Sequence, residues 1–311
     1  MSVCFIGHVA KDVVEGTSPV SYEPGGGVFY GGLALAEVGQ SISILTKTAA
    51  ADQRLYQQLA EKGSVTFLSS LNSTTFENRY PDGKPDNRIS FVSARAASFT
   101  AEDLSCLPQP FPSLVVVVSP LCGEFPAELL RTLQDRHHSH VALDVQGFTR
   151  SVGPDGRVTQ TDWPEKAQWL PYISLLKIDN KEGLLLTGKA DLKEACAELI
   201  RHNPQMAIVA TSAEGVLFSL CSSDGTLHSE WRPWAPPRTP ASRTGRGDTT
   251  LAFFSHFYLS RGLPLADAAT LTAIFTEAKM QVRGPFNGEA LSLVRETLRK
   301  RAISEDVLEG L

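Results

Sequence analysis

The residues with chemistry to offer begin at Thr244-Gly-Arg-Gly-Asp-Thr249, set directly ahead of the apolar stretch 251–259. Leu251, Phe254 and Tyr258 recur at helical spacing, and Phe253 and Phe257 make the rod apolar on more than one side, which predicts a buried helix. Gly245 and Gly247 can take backbone angles closed to other residues. A glycine turn feeding a helix points several N–H groups at one spot, where the helix dipole adds partial positive charge. Gly245, Arg246 and Gly247 thus form an anion site with Asp248 at its lip. A carboxylate placed there suits a hydroxyl that must lose its proton while a phosphoryl group arrives. The same letters also fit a plain loop with Asp248 capping the helix. Arg246-Gly-Asp248 as an adhesion tripeptide is a short match with a high chance rate.

Further candidates sit at the ends of apolar runs. Asp144, Asp179 and Thr211 close the runs 141–143, 174–178 and 207–210, and Asp12 follows the first run, 3–7, in a loop. A second glycine turn, Gly25-Gly-Gly27, precedes a small-residue helix over 30–38 that Gly39 stops. Asp179-x-x-Glu182 follows a strand and reads locally as a helix N-cap with a first-turn acid. Asp12 alone would be an ordinary solvated loop acid.

These residues need elements to hold them. The continuous apolar run 114–118 and the mainly apolar stretches 3–7, 42–46, 65–68, 141–143, 174–178 and 207–210 predict strands, with a reversed strand at 216–220. Helices are expected at 52–62, 126–137, 190–201, 264–282 and 289–302. Strands alternating with helices predict a mostly parallel sheet covered on both faces, a three-layer α/β/α fold. Ligands in such sheets collect at the carboxyl ends of the strands, where Asp12, Asp144, Asp179, Thr211 and both glycine turns converge. The rhythm breaks at 74–94, where alternation around Pro81-Asp-Gly-Lys84 predicts an inserted hairpin. The stretch 233–240 carries too many prolines for a central strand.

Together the two glycine regions resemble the signatures of the ribokinase-like (PfkB) family of carbohydrate and nucleoside kinases. The C-terminal one usually reads Asp-Thr-x-Gly-Ala-Gly-Asp; the N-terminal one is a Gly-Gly pair before a small-residue helix. The resemblance runs over nearly the whole chain. It implies one ribokinase-like domain over 1–311, with a small β lid from about 9–23 and 74–95. It implies ATP and Mg2+ as cofactors and a hydroxyl of a small sugar, inositol-like polyol or nucleoside as acceptor. It makes Asp248 the base and Gly245, Arg246 and Gly247 the catalytic anion loop. Asp12, Gly26, Gly27, Tyr30, Gln146 and Arg150 would contact the acceptor. Thr211, Ser212, Gly215, Thr244, Gly245 and Gly247 would contact the nucleotide, and Asp179 and Glu182 the metal.

Several positions depart from the pattern. Tyr30 replaces an asparagine that commonly binds the sugar, which shifts the acceptor away from plain ribose. Ser242 and Arg243 replace the usual Asp-Thr, which puts the common monovalent-cation dependence in doubt. Arg246 replaces alanine, and either meets the phosphates or points to solvent. The features are most similar to the branch with myo-inositol kinases. A catalytically weak metabolite-binding descendant is the alternative, and the retained Asp248 argues against it. A nicotinamide dehydrogenase is disfavoured, because Gly7-His-Val9 supplies no glycine fingerprint after the first strand.

Composition agrees with a cytoplasmic enzyme. The 311 residues are 42% hydrophobic and 20% charged, with a net charge of −5, which argues against nucleic acid or an anionic membrane surface as main partner. No apolar run approaches the ~20 residues of a membrane helix, and no secretory leader is expected. Cys4, Cys106, Cys122, Cys196 and Cys221 are scattered and expected to be reduced thiols. His137, His138 and His140 read as a solvated helix end. A homodimer through the lid is the assembly allowed.

Overall fold

A computed structural model describes residues 3–14, 20–79, 89–107, 115–137, 140–235 and 244–304. The strands are β1 (Val3–Ile6), β2 (Ala10–Val14), β3 (Ser21–Gly25), β4 (Ile42–Thr48), β5 (Ser64–Ser69), β6 (Thr74–Arg79), β7 (Ile89–Ala94), β8 (Val115–Val118), β9 (His140–Asp144), β10 (Arg150–Val152), β11 (Val158–Gln160), β12 (Leu175–Asp179), β13 (Ala207–Thr211), β14 (Gly215–Cys221) and β15 (Leu227–Pro233). The helices are α1 (Gly27–Glu37), α2 (Gln57–Lys62), α3 (Glu128–His137), α4 (Lys166–Trp169), α5 (Asn180–Thr187), α6 (Leu192–Ile200), α7 (Arg246–Phe254), α8 (Leu265–Met280) and α9 (Gly288–Lys300).

The main sheet has the order β15-β14-β13-β12-β9-β8-β1-β4-β5. It is parallel from β13 to β5, and β14 and β15 run antiparallel at one edge. Alternate residues of one strand serve opposite faces. Val115 and Val117 join the core under α1, α7, α8 and α9, while Val116 and Val118 join the core with α3 and α6. That is why the run is valine without interruption: a strand buried on both faces has no polar side to show. The fold is the three-layer α/β/α arrangement expected.

A smaller sheet, β3-β2-β6-β7, stands over the carboxyl ends of the main strands. It is the expected lid, and it corrects one expectation. The segment carrying Asp12 is a strand, not a loop. Its sequence, Ala-Lys-Asp-Val-Val, lacks a strand's alternation, but β6 in parallel and β3 in antiparallel satisfy its backbone. Pairing overrides the weak local pattern.

Other differences are local. The helix expected at 52–62 is a 3-10 stretch, Ala50–Tyr56, followed by α2. The apolar rod after Asp248 starts at Arg246 and, past Phe254, widens into a π-helical stretch, Ser255–Ser260. The hairpin β10–β11 and strand β15 carry too few apolar residues to have been anticipated. The turn at 81–84, most of 233–240, Ser242, Arg243 and His138 lie outside the described residues. Pro233 itself closes β15, the edge strand, where a missing N–H costs nothing. All cysteines are free. Among the described residues no helix is long and apolar enough to cross a membrane.

Candidate active site

One cavity of about 290 Å3 lies between the lid and the carboxyl ends of β9, β12 and β13. It gathers Asp12, Gly26, Gly27, Tyr30, Asp144, Gln146, Arg150, Asp179, Thr211, Thr244, Gly245, Arg246, Gly247 and Asp248, residues from distant parts of the sequence. Ser212, Gly215 and Glu182 do not line it. Ser212 Oγ donates to Glu214 Oε2 at 2.9 Å, and Trp234 Nε1 donates to the Ser212 carbonyl at 3.1 Å. The turn that holds Ser212 and Gly215 is therefore closed on itself.

The anion loop is built as its glycines demand. Gly245 caps α7 at φ 79, in the left-handed region. A methyl group there would also fall 2.4 Å from Tyr30 Cδ1, so the position excludes a side chain on two grounds. No side chain caps α7 in the N-cap position, and the first N–H groups of a helix have no carbonyl four residues back to meet. Asp248 lies in this turn. A methyl group at Gly27 would fall 2.9 Å from its Oδ1, so the two glycine turns meet around this carboxylate. Burial, helped by the charge of Asp144, pushes its pKa up to about 6, against the pull of Lys177 and Arg150.

Lys177 was not anticipated. It sits on β12, inside Leu-Leu-Lys-Ile-Asp, is 5% exposed, and lines the cavity. Its Nζ lies 3.1 Å from Asp144 Oδ1 and 3.6 Å from Glu182 Oε2. A methyl group at Gly247 would meet its Cε at 3.0 Å, so lysine and anion loop are neighbours. Burial alone would discharge it, but Asp144, Glu182, Asp179 and Asp248 outweigh burial and hold its pKa above the ordinary range. The signal was present: a lone ammonium in an apolar strand needs a reason.

The Asp179–Glu182 pair forms a capping box. Asp179 Oδ1 accepts from the Glu182 N–H at 2.8 Å, and Glu182 Oε2 accepts from the Asp179 N–H at 2.6 Å. Burial raises the Glu182 pKa, with Lys177 opposing. Asp179 lines the cavity, and no cluster of His, Cys, Asp or Glu able to hold a metal by itself occurs among the described residues.

At the other end, Arg150 Nη2 donates to Gln146 Oε1 at 2.8 Å. A methyl group at Gly25 would fall 2.4 Å from Asp12 Oδ2, which ties this acid to the first glycine turn. Asn78 of β6 and Ser90 of β7 complete the wall, the Ser90 hydroxyl donating to Asn78 Oδ1 at 2.7 Å.

Residues 6–287 match the profile of the pfkB family of carbohydrate kinases. The chain belongs to this family. No curated protein matches the chain in sequence. Among solved structures, this kinase is similar to a pyrophosphate-dependent myo-inositol-1 kinase converted into a myo-inositol-3 kinase by replacing one asparagine and one serine with leucine. Identity is 30% and TM-score 0.80, over 95% of this chain and 99% of that one. It is also similar to a pyrophosphate-dependent kinase in the ribokinase family, complexed with a pyrophosphate analog and myo-inositol: 32% identity, TM-score 0.79, over 94% and 99%. Ribokinase from Cryptococcus neoformans var. grubii serotype A, in complex with ADP, shares the fold at 16% identity and TM-score 0.70, over 96% and 100%.

Proposed function

We propose that this kinase phosphorylates a hydroxyl of an inositol-like cyclic polyol with pyrophosphate as donor. The observation that carries the transfer is the position of Asp248, between the amides of α7 and the glycine turn that faces the acceptor. The donor end supplies the Gly245–Gly247 amides, Lys177, Arg246 and Thr211. Phosphoryl transfer asks of a protein mainly this positioning and charge neutralisation. Asp248 takes the proton of the attacking hydroxyl. Asp12, Gly26, Gly27, Tyr30, Gln146 and Arg150 hold the polyol.

Two observations support pyrophosphate over the ATP expected from sequence. The solved structures at 30% and 32% identity are described as pyrophosphate-dependent. The turn assigned to the nucleotide, Ser212 to Gly215, is closed on itself and does not line the cavity. Asp179, which lines the cavity, would hold magnesium together with its waters, with Glu182 behind as the brace of Asp179. Bound there it would neutralise donor charge.

Asn78 and Ser90 are assigned the choice of hydroxyl, because an asparagine and a serine decide it in the similar myo-inositol kinase. A dimer through the lid would use the open edge of β3. The β7 edge is taken by the Gly156 carbonyl, which accepts from the Val92 N–H at 2.8 Å.

The test is turnover with myo-inositol and a panel of sugars and nucleosides, each with magnesium and either pyrophosphate or ATP. Phosphate release with pyrophosphate and a polyol is expected. ADP release in preference would return the donor to ATP. Turnover of a nucleoside alone would move the acceptor.

A further inference from the structure

A second buried lysine stands behind the anion loop. Lys279, near the end of α8, is 0% exposed, and its Nζ has no hydrogen-bond partner among the described residues. An ammonium taken from water without a partner costs several kcal/mol, so its retention calls for electrostatic compensation. The Tyr30 ring of α1 faces it, with Nζ 6.0 Å from the ring centroid, and the charge of Asp248 on α7 acts on it. Tyr30 is also the ring packed on Gly245. Lys279 does not line the cavity, so its charge reaches the site through these two groups.

The cavity has use for that charge. Its lining carries the carboxylates of Asp12, Asp144, Asp179 and Asp248 against the cations Arg150, Lys177 and Arg246. Lys177 is already committed to Asp144 and Glu182. A polyanionic donor arriving beside Asp248 adds more negative charge to a site that is acidic on balance.

We propose that Lys279 is a positioning residue for the transfer, a built-in cation behind Tyr30 and the Gly245–Asp248 turn that offsets the repulsion between donor phosphate and Asp248. The inference rests on the phosphoryl-transfer reading of Asp248. Burial pulls the Lys279 pKa down to about 8 while Asp248 resists, so the charge is present below that pH and lost above it.

The test combines a variant with a measurement on the unaltered protein. Lys279→Met should lower donor kcat/KM about tenfold, the order for two unit charges ~10 Å apart at an effective dielectric of ~20. Acceptor affinity should stay unchanged, and a basic limb near pH 8 should vanish. Methylammonium should restore part of the turnover of Lys279→Ala. In the unaltered protein, sulfate, which does not titrate in this range, should bind more weakly as pH rises through about 8. Sulfate affinity flat across that range would overturn the inference even if both variants fail to fold. So would folded variants with unaltered donor kinetics, or with lower melting temperature alone and no amine rescue. If the unaltered protein turns over no acceptor while sulfate binding still follows pH, the proposed function fails and the role of Lys279 in anion binding stands.

Discussion

The two ends of the cleft are built on opposite plans. The donor end is part of the main fold. Lys177, Asp179 and Thr211 lie at the carboxyl ends of β12 and β13, and the anion loop opens a helix whose Leu251 to Phe254 are wholly buried. The end assigned to the acceptor is shared: Gly27 and Tyr30 come from α1 and Gln146 and Arg150 from the chain after β9, while Asp12, Asn78 and Ser90 come from the lid, a sheet with a small core of its own that includes Ala10, Phe76 and Val92. The first is a fixed electrostatic cradle. The lid part of the second is a polar surface whose residues can change without disturbing the main core.

Asp248, shared by both ends, carries the largest expected effect. Asp248→Asn should lower kcat by ~10²–10⁴-fold, with acceptor affinity nearly intact and donor affinity unchanged or tighter by calorimetry. The same change should stabilise the fold. The carboxyl holds its proton up to about pH 6, above its unfolded value, so the stability it contributes is present at low pH and lost as pH rises through 6. At neutral pH the asparagine should recover up to ~3 kcal/mol, read from chemical denaturation. In the unaltered enzyme kcat/KM should fall as pH drops through about 6. An acid limb that persists in Asp248→Asn would separate this carboxylate from the profile.

Lys177→Met should act on the donor end alone. It leaves Asp144 and Glu182 facing each other across a buried gap, a loss of about 3–5 kcal/mol in stability, and donor KM should rise while acceptor affinity holds. A matching loss of acceptor affinity would mean that the two ends are not separable. Asp12→Asn is the reciprocal change. Losing a charge-assisted hydrogen bond, ~1.5–3 kcal/mol, should lower acceptor kcat/KM roughly 10–100-fold and leave donor binding alone. The smallest effect on rate is expected from Asn78→Leu with Ser90→Leu. Here the product should change instead, a different hydroxyl carrying the phosphate by NMR.

The donor end was the more legible in sequence, for a physical reason. Its parts are local: a glycine turn, a helix start, and acids that close short apolar runs such as 141–143. Each announces itself within a few residues. The acceptor end is made by pairing at a distance. The segment of Asp12 becomes a central strand of the lid because β6 lies beside it, more than sixty positions along the chain, with β3 on its other side. Lys177 was missed in the opposite way. A lysine in an apolar strand is a blemish until Asp144 and Glu182 are seen around it, and neither is its sequence neighbour. Glu182 was singled out for metal, and its geometry adds a brace that the letters alone left as one of two meanings.

The lid is tied to the body along one edge. The Val92 N–H donates to the Gly156 carbonyl, and Phe91 bridges to Arg157, so the hairpin β10–β11 stitches the lid's outer strand to the body of the enzyme. Gly156 adopts φ 80, and a methyl group there would fall 2.7 Å from the Val92 carbonyl. A single alanine at that stitch would unfasten the roof from the walls without touching a group that meets either substrate. If departure of the phosphorylated product limits turnover, this seam sets the tempo.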